Sequence, residues 1–143
     1  MPGEPLSARG LSVKTEIQHE QMLELFDQIK KGQRNYLSVK AQLRELQDKV
    51  LEHISLQNTI LAEVLQNPVH AGVIDAKLLE FLQIDLRDIK IETLVFFDEH
   101  PADMGDVRPG NFSGDFAHYA QRMTERIKTE KEYVLPALKK FST

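Results

Sequence analysis

The sequence predicts an all-α protein, an antiparallel four-helix bundle running up, down, up and down. Three observations carry this expectation. Apolar residues recur at steps of three and four over long stretches, turn residues separate those stretches, and no segment alternates with period two.

Residues 1–11 hold Pro2, Gly3, Pro5 and Gly10 with few anchoring hydrophobes, and read as a flexible leader to a bundle domain over residues 12–143. Ser12 is the expected N-cap of a first helix that continues to Lys31, where Gly32 supplies the stop. A second helix is expected over residues 37–66, ended by Asn67-Pro68, because proline cannot continue the backbone ladder and restricts the residue before it. A third covers residues 73–99 and ends at His100-Pro101. The longest connection is residues 101–114, with Pro101, Gly105, Pro109, Gly110 and Gly114. A fourth helix follows over residues 115–141, and Pro136 should kink it near its end. Short connections after the first two helices favour antiparallel neighbours.

The 143 residues suit one domain and one core. An apolar share of 41% beside a charged share of 28% fits amphipathic helices that expose much of their surface. The net charge is -4 and the pI near 5.7, with Lys and Arg scattered among acids. No concentrated basic face would recruit nucleic acid or an anionic membrane, so neither is expected as a partner. No apolar run nears the roughly 18 to 20 residues that span a bilayer, and the first ten residues lack the apolar region of a secretory signal, so a cytoplasmic location is expected. Cysteine is absent, which removes disulfides, thiolate catalysis and Cys-based metal sites. Any metal must be held by His and carboxylates.

Polar residues interrupt the apolar stripes at corresponding heights. On the second helix Val39, Leu43, Leu46, Val50, His53, Gln57, Ile60 and Val64 form one seam, so His53 and Gln57 point inward one turn apart. On the fourth, Phe116, Ala120, Met123, Ile127, Glu130, Val134, Leu138 and Phe141 do the same, with Glu130 the polar member. The first helix reads His19, Met22, Phe26 and Ile29. The third is dense in apolar residues and ambiguous in phase, and one of its stripes, Leu78, Leu82, Asp85, Ile89, Glu92 and Phe96, carries two acids. Counting outward from the turns near Arg34, His70 and Asp106 brings His19, His53, Asp85 and Glu130 to similar heights, since each helix rises about 1.5 Å per residue.

A polar layer across the bundle is the consequence, and it has two explanations. Two imidazoles and one or two carboxylates from different helices can bind a transition metal without cysteine, which makes His19, His53, Glu130 and Asp85 candidate ligands. Arg126, one turn before Glu130, has a fork suited to Asp85, Glu130 or both, and a buried ion pair would satisfy the acids with no cofactor. His70, His100 and His118 lie in or near connections and are assigned no role. There is no Gly-rich phosphate loop, His-Glu-x-x-His or Gly-x-Ser-x-Gly, so a binding protein is expected in preference to an enzyme.

The run Arg126-Ile127-Lys128-Thr129-Glu130-Lys131-Glu132 followed by Pro136 resembles the closing helix of hemerythrin-like (HHE) domains, which reads His-apolar-x-x-Glu-Glu with a later Pro. His53-Ile54-Ser55-Leu56-Gln57-Asn58 looks like a second copy, and His19-Glu20 resembles the opening His. The resemblance covers residues 15–140 and implies a non-haem di-iron site in which His19, His53 and Glu130 match family ligands. Gln57 stands where a bridging carboxylate is expected, Arg126 stands where a His is expected, and the third helix offers no His. What the resemblance implies here is a degenerate site holding one metal or none, in a sensing or binding protein. The alternative is a metal-free helical interaction module. A protein partner and self-association both stay open.

Overall fold

Two of the long helices begin where a short polar side chain satisfies a first free N–H group. Ser7 opens the first, accepting the Gly10 N–H on its hydroxyl at 3.0 Å, and α1 runs Ala8–Gly32. Helix α2 runs Tyr36–Thr59 and passes into a single wider π turn, Ile60–Val64, closed by Leu65 N–H on the Ile60 carbonyl at 2.9 Å. Asp75 caps α3, Ala76–Glu99, by accepting from Leu78 N–H. Helix α4, Phe112–Thr129, enters a second π turn, Glu130–Val134, and continues as α5, Leu135–Lys139.

The computed structural model describes residues 7–32, 36–67, 72–102 and 110–140. The start of the expected leader, the turns near Arg34 and His70, most of the connection between the third and fourth helices, and Phe141 lie outside the described residues. Among the described residues there is no strand, and the four long helices are those expected. The differences are local. Helix α1 starts at Ala8, so Ser12 lies buried inside it and Ser7 takes the capping role. Helix α4 starts at Phe112, inside the stretch expected to be loop. Pro136 sits at the second position of α5, two residues beyond the end of the π turn, where its missing N–H falls at a seam in the ladder.

Cross-helix pairs show the chain direction. Going down α1, Thr15, Gln18 and Gln28 meet Gln57, His53 and Gln42 of α2, so the two run oppositely. Leu82 and Thr93 of α3, and His100 at its C-cap, meet Arg126, Tyr119 and Asp115 of α4 in the same reversed order. Phe26 of α1 packs on Phe116, and His19 lies on Glu130, so α1 and α4 are also opposed. This is the up-down-up-down order.

Two layers divide the interior. At one end Phe26, Phe96, Phe97, Phe112, Phe116 and Tyr119 form an aromatic cluster, with Tyr119 stacked on Phe96 at 4.7 Å and its hydroxyl 2.8 Å from Thr93 Oγ1. Burial pushes the Tyr119 phenol far above its usual range. Met22, Leu46, Val50, Ile89 and Met123, all but sealed from solvent, separate this cluster from a polar layer nearer the start of α1.

The stripe expected for the third helix is rotated. Its buried positions are Leu79, Leu82, Leu86, Ile89, Thr93, Phe96 and Phe97, so Glu92 is exposed and Asp85 sits at the margin.

Candidate metal centre

Three helical segments deliver the centre. His19 comes from the middle of α1, His53 from α2 less than two turns before its π turn, and Glu130 opens the π turn after α4. All three are buried, with Glu130 fully enclosed. His19 Nε2 lies 2.7 Å and His53 Nε2 2.6 Å from the same oxygen, Glu130 Oε1, and one ligand atom from each residue falls within 4.8 Å of the others. The two imidazoles meet edge to face at 5.0 Å.

Behind His53 stands Gln18, which the sequence reading did not single out. His53 Nδ1 donates to Gln18 Oε1 at 2.7 Å. An amide oxygen can only accept, so the hydrogen between His53 and Gln18 sits on Nδ1. That leaves Nε2 to face the site while the Nδ1–H stays on Gln18, the arrangement by which ligating imidazoles are held in orientation. Thr15 extends the support: its hydroxyl donates to the Leu11 carbonyl at 2.8 Å and accepts from Gln57 Nε2 at 3.3 Å.

The second oxygen of Glu130 belongs to Arg126, whose Nε donates to Oε2 at 2.8 Å. Arg126 Nη1 donates to the Leu82 carbonyl at 3.1 Å and to Asp85 Oδ2 at 3.0 Å. Arg122 then binds Asp85 Oδ1 at 2.7 Å and Glu92 Oε2 at 2.9 Å. Charges of alternating sign therefore run outward from Glu130, 0% exposed, through Arg126, Asp85 and Arg122 to Glu92, 46% exposed. Burial alone would raise the Glu130 carboxyl. The charge of His53, hydrogen bonds from both imidazoles and the charge of Arg126 outweigh it and hold the group far below the usual carboxylate range.

The structure thus brings together three of the four residues expected to ligate: His19, His53 and Glu130. Asp85 stands apart, engaged by Arg126 and Arg122. The anticipated pairing of Arg126 with both acids is present. Gln18 carried a signal that periodicity could have found, because Leu11, Thr15, Gln18, Met22, Leu25 and Ile29 step by four and three and are all buried. Arg122 lies one turn from Arg126 on the face of α4 toward α3, and gave no signal beyond that spacing.

The donor set suits a transition metal. Two imidazole nitrogens and one carboxylate oxygen, with further positions open, is the ligand type of mononuclear non-haem iron sites, and imidazole serves zinc equally. Among the described residues, the same layer leaves three buried polar atoms without a partner, His19 Nδ1, Gln57 Oε1 and Arg126 Nη2. Such atoms are costly unless a water or ligand meets them.

A second group that could hold a metal, Glu99, His100 and Asp115, lies where α3 ends and α4 begins. There His100 is buried and its Nε2 contacts Asp115 Oδ2 at 2.7 Å, which ties the two helices across their connection.

Fold and centre together define an all-helical bundle with two imidazoles and one carboxylate enclosed between its helices. No family model, no curated protein and no solved structure matches the chain. Among the described residues no helix is long and apolar enough to cross a membrane.

Proposed function

We propose that the protein binds a single divalent transition metal, iron first among the candidates, through His19 Nε2, His53 Nε2 and Glu130, and that it serves as a metal-dependent binding or sensing protein of the cytoplasm. The observation that carries this reading is the convergence of three buried donors within 4.8 Å, with Gln18 orienting one of them. The relation to hemerythrin-like domains belongs to the same proposal. It is supported by the bundle, by imidazoles on the first two helices and by a carboxylate on the last. The set is too small to hold two bridged irons, so ordinary oxygen carriage is not part of the proposal.

The bound metal would supply a Lewis-acidic centre with open positions. The chain's residues do the rest. Gln18 orients His53, Arg126 holds one oxygen of Glu130 and leaves the other to the site, and the apolar layers on either side limit water. Binding at the two Nε2 atoms releases the hydrogens they share with Glu130, so affinity should fall as the solution is acidified.

A second reading is favoured by Arg126, whose pairing gives Glu130 a protein cation in place of a metal. In that case the layer is structural and the chain is a metal-free interaction module. Protein purified without chelator or affinity-tag metal separates the two. Near-stoichiometric iron, zinc or manganese that disappears in His53→Ala supports a metal protein. Metal-free protein whose melting temperature is unmoved by added metal supports the structural layer and ends the first reading.

A further inference from the structure

Helix α3 has two apolar faces. One is the buried stripe that faces the core. Opposite it lie Phe81, Ile84, Ile91, Leu94 and Val95, each 46% to 55% exposed. With Lys77, Asp88 and Asp98 they step by four and three along the helix, a second complete seam left exposed among the described residues. A helix apolar on both sides is characteristic of one enclosed from both sides, and a continuous exposed stripe marks an interaction surface where single exposed hydrophobes do not.

The geometry points to a second copy of this chain as the partner, docked through α3 against α3 in antiparallel orientation about a two-fold axis between Arg87 and Asp88. The pattern is self-complementary about that point. The axis sets Ile84 opposite Ile91 of the second copy and Phe81 opposite Leu94, so apolar meets apolar on both sides of the centre. It sets Arg87 opposite Asp88, and Lys77 opposite Asp98, so each charge meets its opposite. All four of these charged residues are exposed, and none is engaged in an ion pair with another described residue. A seam repeating under a two-fold is what an isologous interface requires, each patch serving as its own complement. A lone charge in the middle of an apolar seam sets register, which is the role of Asp88 here. A lipid surface fits poorly, because α3 carries six acids and three bases.

From Phe81 to Val95 the face is about 21 Å long at the rise of an α-helix. A single pair of helices of that length makes a modest interface, so the dimer should be reversible, forming in the micromolar to sub-millimolar range.

The test is sedimentation velocity over that concentration range, with far-ultraviolet circular dichroism confirming that every variant keeps its helix. Wild type should shift from monomer to dimer, and Ile91→Lys should weaken the dimer by on the order of 100-fold, through burial of an ammonium in the seam. Arg87→Asp alone and Asp88→Arg alone each place like charges together and should weaken it by about tenfold. Mixed in equal amounts, these two variants should recover a heterodimer, and the double variant R87D/D88R should self-associate like wild type. Wild type that stays monomeric throughout overturns the proposal, whether or not the face then binds phosphatidylcholine vesicles or another protein. A dimer indifferent to Ile91→Lys overturns it as well, and a dimer lost in Ile91→Lys yet indifferent to the charge reversals overturns the antiparallel register.

Discussion

Arg126 and Gln18 hold the two sides of one carboxylate-imidazole cluster, and their substitutions should fail in different ways. Arg126 is 1% exposed and is paired with both Glu130 and Asp85, so Arg126→Ala leaves a buried carboxylate short of its cation and should cost about 3 to 5 kcal/mol in urea unfolding. A group whose folded pKa is depressed contributes stability above its unfolded value and loses it as pH falls toward the folded one. Glu130 is such a group, so this part of the wild-type stability persists above about pH 4.5 and declines below it. The gap between wild type and Arg126→Ala should therefore narrow in acid, and a constant gap across pH would show that Arg126 acts by packing alone. Gln18→Leu keeps the volume and strands the His53 Nδ1–H. If metal is bound, its affinity should drop about 10- to 100-fold with the stoichiometry unchanged, as calorimetric titration would show. His19, His53, Glu130 and Arg126 were legible in the sequence because each interrupts or borders an apolar stripe. Gln18 was not, because adjacent His19 is also buried and the stripe drawn through His19 concealed the one through Gln18.

The helices differ in how well their residues specify them. Helices α2 and α4 each carry one dominant stripe, so their inward faces could be read directly. Helix α3 carries two apolar stripes on opposite faces, and periodicity cannot rank them, because each satisfies the same spacing. The stripe expected from the sequence fell between them and shared Leu82, Ile89 and Phe96 with the core, which is why Asp85 lies at the layer's edge and outside the donor cluster. The π turns were also invisible, since one extra residue in a turn leaves no mark on a heptad pattern. They follow the polar layer in both α2 and α4, and widened turns of this kind gather where a helix must place a functional side chain. From the sequence alone Pro136 is expected to kink a continuous helix. At the second position of α5 its lost N–H costs little, so Pro136→Ala should change stability by less than about 1 kcal/mol, against about 3 kcal/mol for a proline in a helix interior. Thermal unfolding of the variant would decide between the two.

Across the whole molecule, the polar layer joins α1, α2 and α4 directly and reaches α3 through Arg126, so all four long helices meet at one level. That convergence was legible from the helix count, the short connections and the rise per residue. The partners within it depended on rotations that the sequence leaves free. The far end of the bundle has its own use. The chain has no tryptophan and three tyrosines, so its near-ultraviolet signal is tyrosine's, and Tyr119 lies flat on Phe96, 3° from parallel, with its phenol suppressed by burial. A phenol raised in the folded state contributes stability fully below its unfolded value, about pH 10, and that contribution is lost as pH rises beyond it. In an alkaline titration the tyrosinate absorbance of Tyr119 should therefore appear late and together with the loss of helical ellipticity, while Tyr119→Phe should remove that late step alone. The protein carries a built-in chromophore for the integrity of one end of its core, and the opposite end can be challenged with chelators or acid while that light signal reports whether the damage has travelled.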